Sequence, residues 1–324
     1  MRTAILRAVS SSSDVPSEEV DVIGVGENSV DRVMVVPRMP GAPGASSKMR
    51  VTAAVRSCGG QVATTMAACA SLGLRAAYAG AVGADDDGRF VRDTMIARGV
   101  NVAHLHTVAG AATRWASVLV DAASGERAVL WNRDASLTLS AKQVDAIDVG
   151  AVRLVHVDDS DMDASIRLGV AARNAGRLVS TDIDMQDAQD AQADQVRQLL
   201  TIATHPILSE HALAVLSGEH DPERGLRSLR RQCGGVLTVT MGSRGAMALD
   251  ADRIVMARGF SVTAVDTTGA GDVFRAGFIV ALLAGRGLDE TLRFANAAAA
   301  ISCTRVGAIG GVPTLEETET LFRQ

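Results

Sequence analysis

Apolar residues recur along this chain with two alternating rhythms. Val273, Phe274, Phe278, Ile279, Leu282 and Leu283 repeat at the three- and four-residue spacing of one helix face, which predicts a buried helix opening at Gly269-Ala270-Gly271-Asp272. Short apolar runs at 20–26, 76–81, 154–157, 178–182 and 235–240 have the length of buried strands, and the last is rich in β-branched residues. Helical stretches at 59–72, 90–97, 164–175, 193–200 and 294–302 fall among them. Strands and helices in such alternation predict right-handed βαβ units and a mainly parallel sheet covered on both faces, an α/β fold in three layers.

Two segments break the rhythm. Residues at about 33–57 are interrupted by Pro37, Pro40, Gly41, Pro43 and Gly44, and 115–131 holds two short strand-like runs joined by Ser124-Gly125-Glu126. Strands this short bury little by themselves and need a partner along their edges. Residues 1–20 carry a serine run and Asp14, Glu18 and Glu19 without an apolar stretch of secretory length, and read as a mobile leader ahead of one domain over 21–324.

Composition narrows the function classes. A hydrophobic share of 47% in 324 residues suits one large α/β core, and no run is long and apolar enough to predict a membrane span. A formal charge of −5 and only 3% aromatics give no footprint for nucleic acid, which leaves small-molecule chemistry. Cys58, Cys69, Cys233 and Cys303 are scattered with no paired spacing, so neither a zinc site nor a disulfide framework is expected, and a reducing cytoplasm fits.

Candidate chemistry concentrates at 266–272. A helix first turn presents unpaired N–H groups and the positive end of the macrodipole, so Gly269, Ala270 and Gly271 form a candidate anion hole. Asp272 adds a carboxylate to the same volume. That carboxylate would oppose a site built only to bind phosphate. It suits one in which a hydroxyl loses its proton as it attacks a phosphoryl group, and Asp272 is the candidate general base. The bland alternative makes Asp272 a capping acid beside a glycine turn.

The run Asp266-Thr267-Thr268-Gly269-Ala270-Gly271-Asp272-Val273-Phe274 resembles the C-terminal signature of the ribokinase-like (PfkB) carbohydrate kinases. Gly59-Gly60 with its helix and the run from Gly80 to Gly88 resemble the N-terminal signature, and Thr240-Met241-Gly242-Ser243-Arg244-Gly245 resembles the nucleotide-binding strand and turn. With 296–314 added, the resemblance covers the chain from about Asp21 onward. It implies a ribokinase-like three-layer α/β/α fold whose two inserts form a small β-lid over the sugar, joined to the lid of a second subunit in a homodimer. ATP and Mg2+ are the implied cofactors, with K+ as a candidate third. Asp31, five residues after Gly26, would bind sugar hydroxyls beside Gly59, Gly60 and Thr64. Thr240, Gly242, Ser243, Gly245 and Asn296 would hold the nucleotide, with Asn296 at adenine, and Asp266 and Thr268 would meet a monovalent cation.

The chain departs from the family pattern in two places. Thr64 replaces the usual asparagine of the N-terminal signature. The usual Asn-x-x-Glu reads Ser209-Glu210-His211-Ala212, which makes Glu210 the nearest substitute acid for magnesium. Asp182 and Asp184 lie past a strand end, where ligands collect in α/β sheets. Arg275 would pair with one of them or meet an anionic substrate, and Arg133 beside the second insert adds a further guanidinium, so an acidic or phosphorylated sugar enters as a candidate acceptor. The expected activity is ATP-dependent phosphorylation of a hydroxyl, primary in the first instance, of a sugar or sugar-like alcohol. A nucleoside kinase and a catalytically silent sugar-binding regulator are the alternatives.

Overall fold

The computed structural model describes residues 20–41, 48–124, 127–185 and 190–324; the expected leader at 1–20 lies outside them save for Val20. The chain opens with β1 (Val20–Val25), then β2 (Ser29–Val36) and β3 (Ala53–Gly59), and continues into α1 (Gln61–Ser71). Next come β4 (Ala76–Gly83), α2 (Asp86–Ala97), β5 (Asn101–Val108), β6 (Trp115–Asp121), β7 (Arg127–Asn132) and the short α3 (Ala141–Asp145). The middle of the chain alternates: β8 (Val152–Asp158), α4 (Met162–Asn174), β9 (Leu178–Ile183), α5 (Asp190–Ile202), β10 (His205–Ser209), α6 (Glu210–Ser217) and α7 (Pro222–Leu229). The strands β11 (Leu237–Thr240), β12 (Ala246–Asp250) and β13 (Arg253–Ala257) precede α8 (Ala270–Leu283), α9 (Leu288–Ser302), α10 (Ala308–Gly311) and α11 (Leu315–Phe322).

Nine strands form one sheet in the order β13-β12-β11-β10-β9-β8-β1-β4-β5, parallel from β11 to β5 and antiparallel at β12 and β13. Successive side chains on a strand point to opposite faces, and both faces here are covered. Thus Val22 and Leu154 pack with Val62 and Met66 of α1 and with Val273 and Ile279 of α8. Their neighbours Ile23, Val25, Val155 and Val157 pack on the other side with Leu168 of α4, Leu199 of α5 and Leu213 of α6. Burying a side chain such as Phe278, fully enclosed between α8 and the sheet, contributes about 1.5–3 kcal/mol.

The two inserts meet in a separate four-stranded sheet, β3-β2-β6-β7. Asp31 pairs with Ser57 on β3 and with Ala116 on β6, so it lies in the middle of that sheet. The acidic run after Gly83 joins the two bodies: Asp85 caps α2 through the Gly88 N–H at 2.7 Å, and Asp87 pairs with Arg32 of β2 and Arg56 of β3. Gly125 and Glu126 of the expected turn, and 42–47 of the first insert, lie outside the described residues.

Candidate active site

The carboxyl ends of β1, β8, β9, β10 and β11 open into a cavity of about 610 Å³ between the small sheet and the start of α8, within the usual size of small-molecule sites. Gly269 closes the loop before α8 in the left-handed region (φ 77°), and a Cβ there would lie 2.8 Å from Ala308 of α10. Only glycine fits both demands. Asp266 braces the same loop: its carboxylate accepts from Thr268 N (2.9 Å), Thr268 Oγ1 (2.7 Å) and Gly307 N (2.9 Å). The Ala270 N–H turns back to the Thr267 carbonyl (3.3 Å) and Val273 N bonds Gly269 O (2.9 Å). The N–H groups of Gly269, Gly271 and Asp272 have no backbone partner among the described residues, so of the expected Gly269-Ala270-Gly271 donors only Ala270 is engaged, and Asp272 N–H joins the open ones.

Asp272 lines the cavity beside those donors. Burial holds its carboxyl well above the usual carboxylate range, Arg275 opposes that rise, and Asp184, Glu27 and Asp158 add to it. An acid so displaced takes up a proton more readily than an exposed one, which suits a general base. Arg275, one turn along α8, is 3% exposed and forms an ion pair with fully buried Asp182 of β9. Removing one member of such a pair leaves an uncompensated buried charge, at a cost of about 3–5 kcal/mol.

On the opposite wall, Ser29 Oγ donates to Asp31 Oδ1 at 2.8 Å, and burial raises the Asp31 carboxyl, with Glu27 and Asp266 adding to the rise. Gly59 leaves room for this acid: a Cβ there would lie 2.2 Å from Asp31 Oδ2. Gly60 (φ 94°) lines the cavity, and any side chain on it would strike the backbone of Glu27 and Asn28. Arg133 pairs with Glu27 and lies over the Trp131 ring at 5.4 Å. Thr64 lies behind the glycine loop. It is fully buried outside the cavity lining, a Cβ on Gly269 would lie 3.4 Å from its Cγ2, and its Oγ1 has no hydrogen-bond partner among the described residues, so it packs against the glycine loop.

The nucleotide-side residues divide likewise. Thr240 ends β11 and lines the cavity, its hydroxyl donating to Leu208 O at 3.4 Å. Gly242 and Ser243 make the single tight turn after it. Gly245 closes that turn where a Cβ would lie 2.1 Å from Ala257 O, so it permits a chain crossing. Asn296 of α9 donates to the carbonyls of Ala257 (3.0 Å) and Arg258 (3.2 Å), fastening the segment after β13. Glu210 pairs with Arg244 of the turn, and neither lines the cavity.

Asp159 and Asp184 do line it, beside Ser209 and Thr240. Burial raises the Asp159 carboxyl and Asp184 raises it further. Next to Asp159, Asp158 is pushed up to about 7 by burial and by Asp159, although it accepts from Glu27 N (2.7 Å) and Ser160 N (2.9 Å). Sequence reasoning reached Asp184 from its place past a strand end but passed over Glu27 and Asp158-Asp159. The same signal marks them, since Asp158 ends β8 directly beside Asp182 of β9.

The fold is of the three-layer α/β class of phosphoryl-transfer enzymes, and Gly269, Gly271 and Asp272 of one helix turn line a single cavity with Asp31. Residues 20–315 match the pfkB family carbohydrate kinase, and the chain belongs to that family. It is 31% identical to fructokinase-1 of Oryza sativa subsp. japonica, over 93% of this chain and 96% of the relative. It is 28% identical to the ribokinase of Haemophilus influenzae, over 80% of this chain and 85% of the relative. Its fold matches the structure of Arabidopsis thaliana ribokinase complexed with ribose and ATP with a TM-score of 0.80 at 21% identity, covering 94% of this chain and 99% of that one.

Proposed function

We propose that this ATP-dependent carbohydrate kinase transfers the terminal phosphoryl group of ATP to a hydroxyl, primary by preference, of a neutral sugar. One observation carries the reading: Gly271 and Asp272, whose N–H groups have no backbone partner among the described residues, line the same cavity as Asp31. Asp31 accepts hydrogen bonds from acceptor hydroxyls and Asp272 takes the proton from the attacking one, as the first turn of α8 holds the phosphoryl oxygens. Atoms balance: the acceptor O–H bond breaks, an O–P bond forms, and ADP leaves with the electron pair of the cleaved bond. Thr240, Gly242, Ser243 and Gly245 hold the phosphates and ribose, and Asn296 shapes the adenine wall through the segment it fastens.

Magnesium fits the donors present. Asp184 presents a carboxylate to the cavity that Thr240 and Asp272 also line. Such an oxygen suits a hard cation through bound water, and the bound metal would neutralise charge on the ATP oxygens. Glu210, engaged by Arg244, is reassigned to bracing the turn. A potassium contact at Asp266 and Thr268 is proposed on the family resemblance, and exchanging potassium for tetramethylammonium at constant ionic strength tests it.

A neutral acceptor follows from charge. The cavity holds Glu27, Asp31, Asp159, Asp184 and Asp272, whereas each of its three arginines is engaged: Arg114 with the Leu137 carbonyl (2.9 Å), Arg133 with Glu27 and Arg275 with Asp182. That charge balance disfavours the acidic or phosphorylated acceptor entertained from the sequence. A nucleoside is favoured by a different observation, the apolar wall of Val118, Val129 and Trp131 beside Asp31, on which a base could stack. An ATP-consumption screen over neutral sugars, sugar acids, sugar phosphates and nucleosides tests the reading. Turnover only with sugar acids or sugar phosphates would overturn the neutral-acceptor assignment.

The small sheet is assigned as a lid that also forms a homodimer, because Val129, Leu130 and Trp131 are 56%, 58% and 53% exposed on its edge strand β7. A cytoplasmic site of action is proposed from the four free cysteines and the need for ATP. Among the described residues, no helix is long and apolar enough to cross a membrane.

A further inference from the structure

Arg275 is the one charged residue among the buried positions of α8, whose other inward side chains include Val273, Phe274, Phe278 and Ile279. Its guanidinium meets Asp182 of β9, and neither carboxylate oxygen of Asp182 has a hydrogen-bond partner among the described residues, so Arg275 is the counter-charge that these residues give it. The guanidinium also occupies the space over Gly271, where a Cβ would lie 2.7 Å from Nη1. It therefore touches, on one side, the turn that carries both the anion-hole donors and the base, and, on the other, a central strand of the sheet. A second contact reaches the same turn from another direction: the Thr65 hydroxyl of α1, 2.9 Å from the Gln61 carbonyl, also lies 3.2 Å from the Asp272 carbonyl and shares its proton between them.

A buried ion pair is a poor way to gain stability, since well-packed apolar residues of similar volume commonly serve as well or better. It does fix geometry, and a planar guanidinium does so in two directions at once. We propose that Arg275 is a positioning residue, a clamp that holds the first turn of α8 against Asp182 so that the Gly271 and Asp272 N–H groups and the Asp272 carboxylate keep a common aim. The clamp rests on the kinase reading of the cavity. It assigns Gly271 a task besides ligand approach, that of a slot for the Arg275 side chain.

The test uses the full chain with Arg275→Met, Arg275→Lys and the doubly neutral Asp182→Asn/Arg275→Met, which keeps the question answerable if the single Met variant fails to fold. Amide hydrogen exchange reads the turn without reference to catalysis. Loss of the clamp should speed exchange at 270–274 by about tenfold or more while β1 and β8 keep their protection. With an acceptor from the screen, kcat should fall by about tenfold or more and the acceptor KM should stay within about threefold, because Asp31 is untouched; Arg275→Lys should recover part of the loss. Unchanged exchange at that turn, or a kcat near that of the wild type in the folded neutral variant, would overturn the clamp. Should the wild type consume ATP with no acceptor, the kinase reading fails by itself, and the exchange measurement still decides whether Arg275 orders the turn.

Discussion

A methyl group on Gly59 would lie 2.2 Å from Asp31 Oδ2, and one on Gly271 would lie 2.7 Å from Arg275 Nη1. At residue scale, these signature glycines serve charged side chains of the protein as well as its ligands. Their presence was legible in the sequence as motif, but their neighbours were not, because β2 and β3 come together only through sheet pairing and Arg275 folds back within its own helix. Gly59→Ala should therefore act as a substitution of Asp31, displacing the carboxylate and raising the acceptor KM by about tenfold or more with the ATP KM nearly unchanged. Asp31→Ala should weaken acceptor binding by about 1.5–3 kcal/mol, the range for hydrogen bonds to a charged group. Steady-state kinetics on both variants checks the pair, and an unchanged acceptor KM in Asp31→Ala would return this acid to a structural role. For Thr64, position in a motif said nothing of its complete burial.

The elements themselves were largely readable. Runs of apolar residues marked β1, β4, β8, β9 and β11, and the helical period marked α1, α4 and α8, because each buries a continuous face in one of the two cores. Less visible were β12 and β13, an antiparallel hairpin at the sheet edge, and β5 at the other edge, whose residues are exposed or half-buried except for Leu105. The start of α6 illustrates what element placement adds. Ser209 caps that helix through Ala212 N (3.1 Å), and Ala212 is fully buried in the core, so the segment that matches the family's Asn-x-x-Glu supplies a cap and packing. The cavity acid on this side comes from the loop after β9. Magnesium titrations should therefore find that Asp184→Asn raises the concentration needed for half-maximal rate several-fold, whereas Glu210→Gln leaves it within about twofold, as for an exposed ion pair. The reverse order would restore Glu210 to the metal.

At the scale of the whole molecule, buried acids crowd one edge of the sheet, and they set how stability responds to pH. Asp158 is held at about 7 in the fold but near its ordinary value in the unfolded chain, so between about pH 4 and 7 the folded protein retains a proton that the unfolded one releases. Stability from this group is complete at the acid end of that window and falls as pH rises through it. Asp21 and Glu317, lowered by Arg75 and Arg305, act in the opposite sense and withdraw their contribution only below about pH 4. Without ATP or metal, Tm should be lower at pH 8 than at pH 5 by roughly 3 °C or more, and Asp158→Asn should flatten the difference. The lid edge makes a separate claim: light scattering at micromolar concentration should give a dimer, and Trp131→Glu with Leu130→Glu should give a monomer.

The central claim is that the first turn of α8 divides binding from chemistry, with backbone N–H groups holding phosphate and one carboxylate removing the acceptor proton. Asp272→Asn isolates the second function. In the purified variant, with an acceptor that the wild type phosphorylates, kcat should fall by about a hundredfold or more as expected for loss of a general base, while the ATP dissociation constant measured by calorimetry stays within a few-fold. Near-normal turnover in that variant would contradict the account.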